Sequence, residues 1–312
     1  MSTQTIERVA AGADDDQPAP AMRVALVNMP FASTRYGSIQ LGLLQAILRR
    51  RGIPTTVHYL NLRFAQRIGW EPYEIICNHR WHSLGEWIFS RAAFTEGTRE
   101  SQAFLEEFPD AVRQACESLD CTTDFLVDLR EREAPAFIEE CIEAVPWDRY
   151  DVVGFGSLFE QNCAALALAR RIKERFPHLT IVFGGSNFED EMGLEYVRTM
   201  PWIDYAVIGE GDEVFPTLLD RLAKGEHVLA MPGVACRGPD GVVFGGRAPM
   251  VTDLDALPEP DYDDYFTTAA ALPMPGLVFG GGVQMLFESG RGCWWGAKHH
   301  CTFCGLNGLG MA

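Results

Sequence analysis

Residues 151–185 read DVVGFGSLFEQNCAALALARRIKERFPHLTIVFGG. Two short β-branched and aromatic runs, Asp151–Gly156 and Leu179–Phe183, enclose a segment whose apolar residues Ala164, Ala165, Leu168, Ala169 and Ile172 recur at helical spacing. Strand, helix, strand is the repeating unit of a parallel sheet with right-handed crossovers. Toward the C-terminus, Gly184 and Gly185 turn the chain into a further helical stretch, Asp204–Ile208 (DYAVI) supplies another strand, and Val214, Phe215, Leu218, Leu219 and Leu222 mark a closing helix. Toward the N-terminus, Arg23–Asn28 (RVALVN), a loop with Pro30, a helix carrying Ile39, Leu43, Leu44, Ile47 and Leu48, and Thr55–Leu60 (TTVHYL) repeat the same grammar. The expectation is an α/β domain over residues 22–225: a doubly wound, five-stranded parallel sheet.

Residues 62–147 interrupt that alternation. Trp70, Tyr73, Trp81, Trp87, Phe89, Phe94, Phe104 and Phe108 make the stretch too apolar for disorder, so it reads as a helical insertion packed on the sheet. Residues 226–282 read as a hairpin and linker, with a turn at Gly238–Gly241 and the acidic, proline-rich LDALPEPDYDDY at 254–265. Val283–Glu288 (VQMLFE) reads as a strand opening another domain over 283–312. On that reading the domain is cut short at Ala312.

The chain has 312 residues, and 43 acidic against 26 basic side chains give a formal charge of −17, which repels nucleic acid and anionic membrane surfaces. Residues 1–21 lack an apolar h-region and read as a disordered acidic lead-in, giving a cytoplasmic expectation. The apolar stretch 269–286 is broken for membrane crossing by Pro273, Pro275 and Gly280–Gly282.

Nine cysteines without a secretion signal argue for free thiols or a metal centre. Three of them, Cys293, Cys301 and Cys304, fall within twelve residues in SGRGCWWGAKHHCTFCG at 289–305. Three thiolates can hold a 4Fe-4S cluster while one iron stays open to an outside ligand. A zinc site completed by His299 or His300 uses equally permissible chemistry. A dinucleotide reading fails, because NMPFASTRYGS after the first strand has no GxGxxG.

The cysteine loop resembles that of the radical S-adenosylmethionine superfamily, whose commonest spacing is CxxxCxxC. Here seven residues separate Cys293 from Cys301, and CWWGAKHHCTFCGLNG is similar to the wider loop of radical enzymes that mature ribosomally made peptides (RiPP maturation). RFAQRIG and GEWIFSRAAF in the insertion look like that family too. The domain before the loop resembles a Rossmann-like cobalamin-binding domain in LVNMP, DVVGFGS, IVFGGS and IGEGDE, all following strands. The resemblance implies cobalamin against Asn28, Pro30, Ser157, Leu158, Gly184, Gly185, Gly209, Glu210 and Gly211, held without a protein histidine on cobalt because no DxHxxG occurs. It further implies a 4Fe-4S cluster on Cys293, Cys301 and Cys304, S-adenosylmethionine beside Phe303, and residues 283–312 as the start of a partial β/α barrel that needs on the order of 200 residues. The plain alternative for the glycines is that they serve turns, with Glu210 and Asp212 matching a helix dipole.

The function implied is C-methylation of a precursor peptide by a cobalamin-dependent radical enzyme, supplied with electrons by a flavodoxin or ferredoxin. Two competitors remain at this stage: radical chemistry with another outcome, such as rearrangement or ring contraction, and a corrinoid-binding module without catalysis.

Overall fold

A computed structural model describes residues 22–79, 81–94, 100–272, 284–296 and 298–299. The lead-in 1–21 and Cys301, Phe303 and Cys304 lie outside the described residues. Strand β1 (Val24–Asn28) leads through helix α1 (Ile39–Arg50) to β2 (Thr55–Tyr59). Helices α2 (Leu60–Ile68), α3 (Trp70–His79), α4 (Leu84–Ala93), α5 (Ser101–Glu107), α6 (Pro109–Leu119), α7 (Thr123–Asp128) and α8 (Ala134–Ala144) form the insertion, with a wide π-type turn at Leu129–Glu133 before α8. Then come β3 (Val152–Gly156), α9 (Asn162–Arg175), β4 (Thr180–Gly184), α10 (Asp190–Thr199), β5 (Tyr205–Val207) and α11 (Gly211–Ala223). The hairpin β6 (Val234–Gly238) and β7 (Gly241–Phe244) precedes α12 (Asp263–Ala271).

The strand order is β2-β1-β3-β4-β5-β6-β7. The first five strands pair in parallel, with Val24 opposite both Thr55 and Val152, and Val152 opposite Thr180. That is the five-stranded sheet expected from the sequence. The hairpin read as part of a linker instead joins the same sheet antiparallel to β5, pairing Tyr205 with Cys236. Val234, Ala235 and Cys236 are buried, so pairing with β5 satisfies backbone groups that a free linker would leave to water.

Alternate residues of each strand face opposite layers, so the parallel strands read as apolar runs. Ala25, Val27, Val153, Phe155, Ile181 and Phe183 pack with the insertion and α9, whereas Val24, Leu26, Val152 and Val182 pack with α1, α11 and α12. Four of the insertion's aromatics, Phe64, Tyr73, Phe89 and Phe137, are buried core, with Phe64 4.9 Å from Phe89 and 4.8 Å from Phe137 between ring centres, and Phe31 of the loop after β1 packs among them.

The acidic stretch forms a strap over the β2 edge. Asp264 of α12 accepts from the Val57 amide at 2.7 Å and from Gln45 Nε2 at 2.5 Å, and the Tyr265 hydroxyl donates to the Thr34 carbonyl at 2.8 Å. The strand expected at Val283–Glu288 finds no strand partner in its described residues. The Gln284 amide donates instead to the Arg35 carbonyl at 2.8 Å, and the Leu286 carbonyl accepts from the Tyr262 hydroxyl at 2.7 Å. These backbone groups are spent on the loop after β1 and on the strap.

On β2, His58 Nε2 lies 2.9 Å from the Tyr150 hydroxyl. Burial lowers its pKa to about 4, with Asp264 opposing the shift and Arg63 reinforcing it. The unfolded chain, with an ordinary histidine, takes up the proton first as pH falls. The His58 contribution is therefore complete above about pH 6.5 and erodes as pH drops toward 4, by at most about 3 kcal/mol. Urea titrations across that range should show the loss, and His58→Gln should flatten this part of the profile.

Candidate functional site

The C-terminal ends of β1, β3, β4 and β5 meet at one edge of the sheet, and connections leave β1 and β3 toward opposite sides. That divergence is where doubly wound sheets bind ligands. Asn28, Pro30, Ser157, Leu158, Gly184, Gly185, Gly209, Glu210 and Gly211 all lie along this edge.

Two residues that the sequence reading passed over stitch the loops together. Gln161 is 2 % exposed, and its Nε2 donates to Asn28 Oδ1 at 3.1 Å and to the Met29 carbonyl at 2.8 Å, while its Oε1 accepts from the Leu158 amide at 3.1 Å. Asn187 joins the loops after β3 and β4: its amide donates to the Ser157 carbonyl at 3.2 Å, and its Nδ2 to Ser157 Oγ at 3.0 Å and to the Leu158 carbonyl at 2.5 Å. Nothing in their spacing distinguished them from surface polar residues.

The insertion fixes the loop after β1. The Tyr73 hydroxyl donates to the Ala32 carbonyl at 2.7 Å, and buried Glu74 accepts from the Thr34 amide at 2.5 Å and from the Thr34 hydroxyl at 2.7 Å. Glu86 of α4 accepts from the Asn162 and Cys163 amides at 2.9 and 2.6 Å. A carboxylate thus occupies the N-terminus of α9 and takes up amides that would otherwise attract an anion.

With Asn28, Ser157 and Glu210 engaged by protein partners, the loops have backbone and glycine to offer a ligand. Gly185 has φ 97° and sits so close to the loop after β3 that a Cβ would lie 2.5 Å from the Ser157 carbonyl oxygen. Gly209 has φ 91° but nothing within 4 Å of a built Cβ, so the edge is open there. Phe159 of the loop after β3 is 64 % exposed. Two open grooves of about 800 and 850 Å³ lie on the insertion and between α1 and the strap, and contain none of the nine loop residues.

The cysteine loop is tied to this same edge. Arg291 grips Asp212 of α11 through both Nη atoms at 2.7 and 3.2 Å, and Glu210 Oε1 lies 3.6 Å away. Glu210 Oε2 also accepts from the Val251 amide at 2.6 Å. Cys293, two residues beyond Arg291, is exposed, and the Gly296 amide donates to its Sγ at 3.4 Å. Among the described residues no group of three or more metal-ligating side chains is assembled, and no helix is long and apolar enough to cross a membrane.

No family model matches the chain. It is 31% identical over 141 residues to the cobalamin-dependent radical SAM methyltransferase TokK of Streptomyces tokunonensis, covering 45% of this chain and 19% of that protein. It is equally similar, with the same identity and coverage, to the 2-(S-pantetheinyl)-carbapenam-3-carboxylate methyltransferase of Streptantibioticus cattleyicolor. The anaerobic magnesium-protoporphyrin IX monomethyl ester cyclase of Synechocystis sp. is 29% identical over 143 residues, 44% of this chain and 25% of its own. The matched stretches thus span about a fifth to a quarter of these relatives. Among solved structures, the cobalamin-dependent S-adenosylmethionine radical enzyme OxsB, with aqua-cobalamin and S-adenosylmethionine bound, shares the fold with TM-score 0.53 and 16% identity over 92% of this chain and 28% of that one.

Substitutions at the two glycines separate strain from crowding. Gly209→Ala should cost about 1 kcal/mol from its backbone angle alone. Gly185→Ala adds a backbone clash and should cost roughly 2–3 kcal/mol. Urea denaturation of the two variants side by side should preserve that order.

Proposed function

We propose that this chain holds cobalamin at the edge formed by the β1, β3, β4 and β5 loops and a 4Fe-4S cluster on its cysteine loop, within a cobalamin-dependent radical S-adenosylmethionine methyltransferase. The observation that carries the reading is the tether between the two sites, with Arg291 fixing the cysteine loop to the first turn of α11.

The residues fit the groups. An open edge at Gly209, with side chains already paired to protein, suits a large, flat ligand held mainly by backbone and shape. A backbone amide directed at the Cys293 sulfur is the kind of hydrogen bond that steadies a cluster thiolate. The cofactors supply, respectively, a transferable methyl group and one-electron reductive cleavage of S-adenosylmethionine. The chain's part is to orient the two sites: Gln161 and Asn187 hold the corrin-facing loops in register, Glu86 closes the α9 N-terminus to competing anions, and Cys293, Cys301 and Cys304 supply the thiolates. On the sequence pattern, Phe303 lies beside S-adenosylmethionine.

The names of the relatives support methyl transfer as the reaction class. The likeness of CWWGAKHHCTFCGLNG, RFAQRIG and GEWIFSRAAF to enzymes of peptide maturation extends the proposal to a ribosomally made precursor peptide as substrate and a flavodoxin or ferredoxin as electron donor.

Purified and reconstituted without oxygen, the protein should bind about four irons per chain and retain cobalamin through gel filtration. Cys293→Ala should abolish the cluster's visible absorbance and leave cobalamin bound. Zinc in place of iron, or absorbance unchanged in the variant, would overturn the cluster assignment. The full-length enzyme, reduced and given S-adenosylmethionine with a candidate precursor peptide, should add the mass of one methylene unit; 5′-deoxyadenosine formed without that gain would reject the peptide as substrate.

A further inference from the structure

We infer that Arg291 is a positioning residue that sets the cysteine loop against the candidate corrin edge, and that its ion pair with Asp212 couples S-adenosylmethionine cleavage to methyl transfer. The inference rests on the function proposed above.

The guanidinium is committed on three sides. Nη1 and Nη2 meet Asp212 Oδ2 and Oδ1 at 2.7 and 3.2 Å, Nε meets Glu288 Oε2 at 2.8 Å, and Glu210 Oε1 is 3.6 Å from Nη1. Three carboxylates around one cation leave no net positive charge for an anionic ligand, so the arrangement is a clamp rather than a binding site. Its side chain is 19% exposed and that of Asp212 8%, so the pair is screened far less than a surface ion pair. Lysine, a single point charge, cannot reproduce the two-pronged grip.

The clamp acts at short range. Two residues of extended chain span at most about 7 Å, so fixing Arg291 confines Cys293. Two further anchors precede it: the Gln284 amide on the Arg35 carbonyl after β1, and the Tyr262 hydroxyl on the Leu286 carbonyl. The segment entering the cysteine loop is thus held to the loop after β1 and to the first turn of α11, on both sides of the point where the connections diverge. Arg291 is the anchor nearest Cys293, and two of its partners, Glu210 and Asp212, belong to IGEGDE, one of the loops assigned to cobalamin. Of the three anchors, Arg291 is thus the one that ties the cysteine loop directly to a candidate corrin loop.

The test compares the full-length wild-type enzyme with Arg291→Gln, Asp212→Asn and the charge swap Arg291→Asp/Asp212→Arg. Amide hydrogen exchange over residues 289–296 should quicken about 10-fold in both single variants, with iron and cobalamin contents unchanged, and the 5′-deoxyadenosine made per methyl transferred should rise about 10-fold. The swap should recover part of both losses. Unchanged exchange in the single variants overturns the inference, as does faster exchange with an unchanged product ratio. Loss of folding in Arg291→Gln alone leaves the milder Asp212→Asn to decide by the same two readings. If the wild-type protein binds neither iron nor cobalamin, the proposed function fails first and the inference with it, a result recognisable without any variant.

Discussion

The arrangement depends on burial of β1, β3 and β4 on both faces. A strand covered above and below and paired on either side has its backbone free only at its ends. Parallel pairing brings like ends together, so four loops are delivered to one edge. The large buried side chains on either side, Phe64, Phe137 and Phe183 in one layer and Leu26 and Tyr59 in the other, hold that edge in place. Loop geometry then needs only local hydrogen bonds, which Gln161 and Asn187 supply.

The insertion belongs to the same machinery. Packed as a second layer, it also sends Tyr73, Glu74 and Glu86 to the loop after β1 and the start of α9. A carboxylate at the α9 N-terminus meets the positive end of the helix dipole and spends two amides that would otherwise attract anions. At α9 the edge is thereby left without an open anion site.

Much of this was legible in the sequence. RVALVN, DVVGFG, LTIVF and DYAVI are apolar runs too short for helices, separated by stretches of helical period, and the parallel sheet followed from them. The hairpin at 234–244 was visible as a hairpin but not as part of the sheet, because antiparallel pairing with β5 depends on a contact between segments almost thirty residues apart that no local pattern records. VQMLFE has strand composition, yet its backbone partners are Arg35 and Tyr262, set by tertiary contact. At the candidate site the glycines and the cysteine spacing announced themselves. Gln161, Asn187 and Glu86 did not, since a polar side chain becomes a loop fastener only once the fold has brought its partners within 3 Å. Arg291 was visible only as part of the cysteine motif, and its partner Asp212 only as part of IGEGDE; no local pattern links the two.

The strap over β2 has a consequence for association between molecules. An outer parallel strand with free amides invites a second copy to add its own strand, the usual route to runaway sheet growth. Asp264 takes the Val57 amide, and α12 lies along that border. Intermolecular strand addition is thereby opposed at this margin of the sheet.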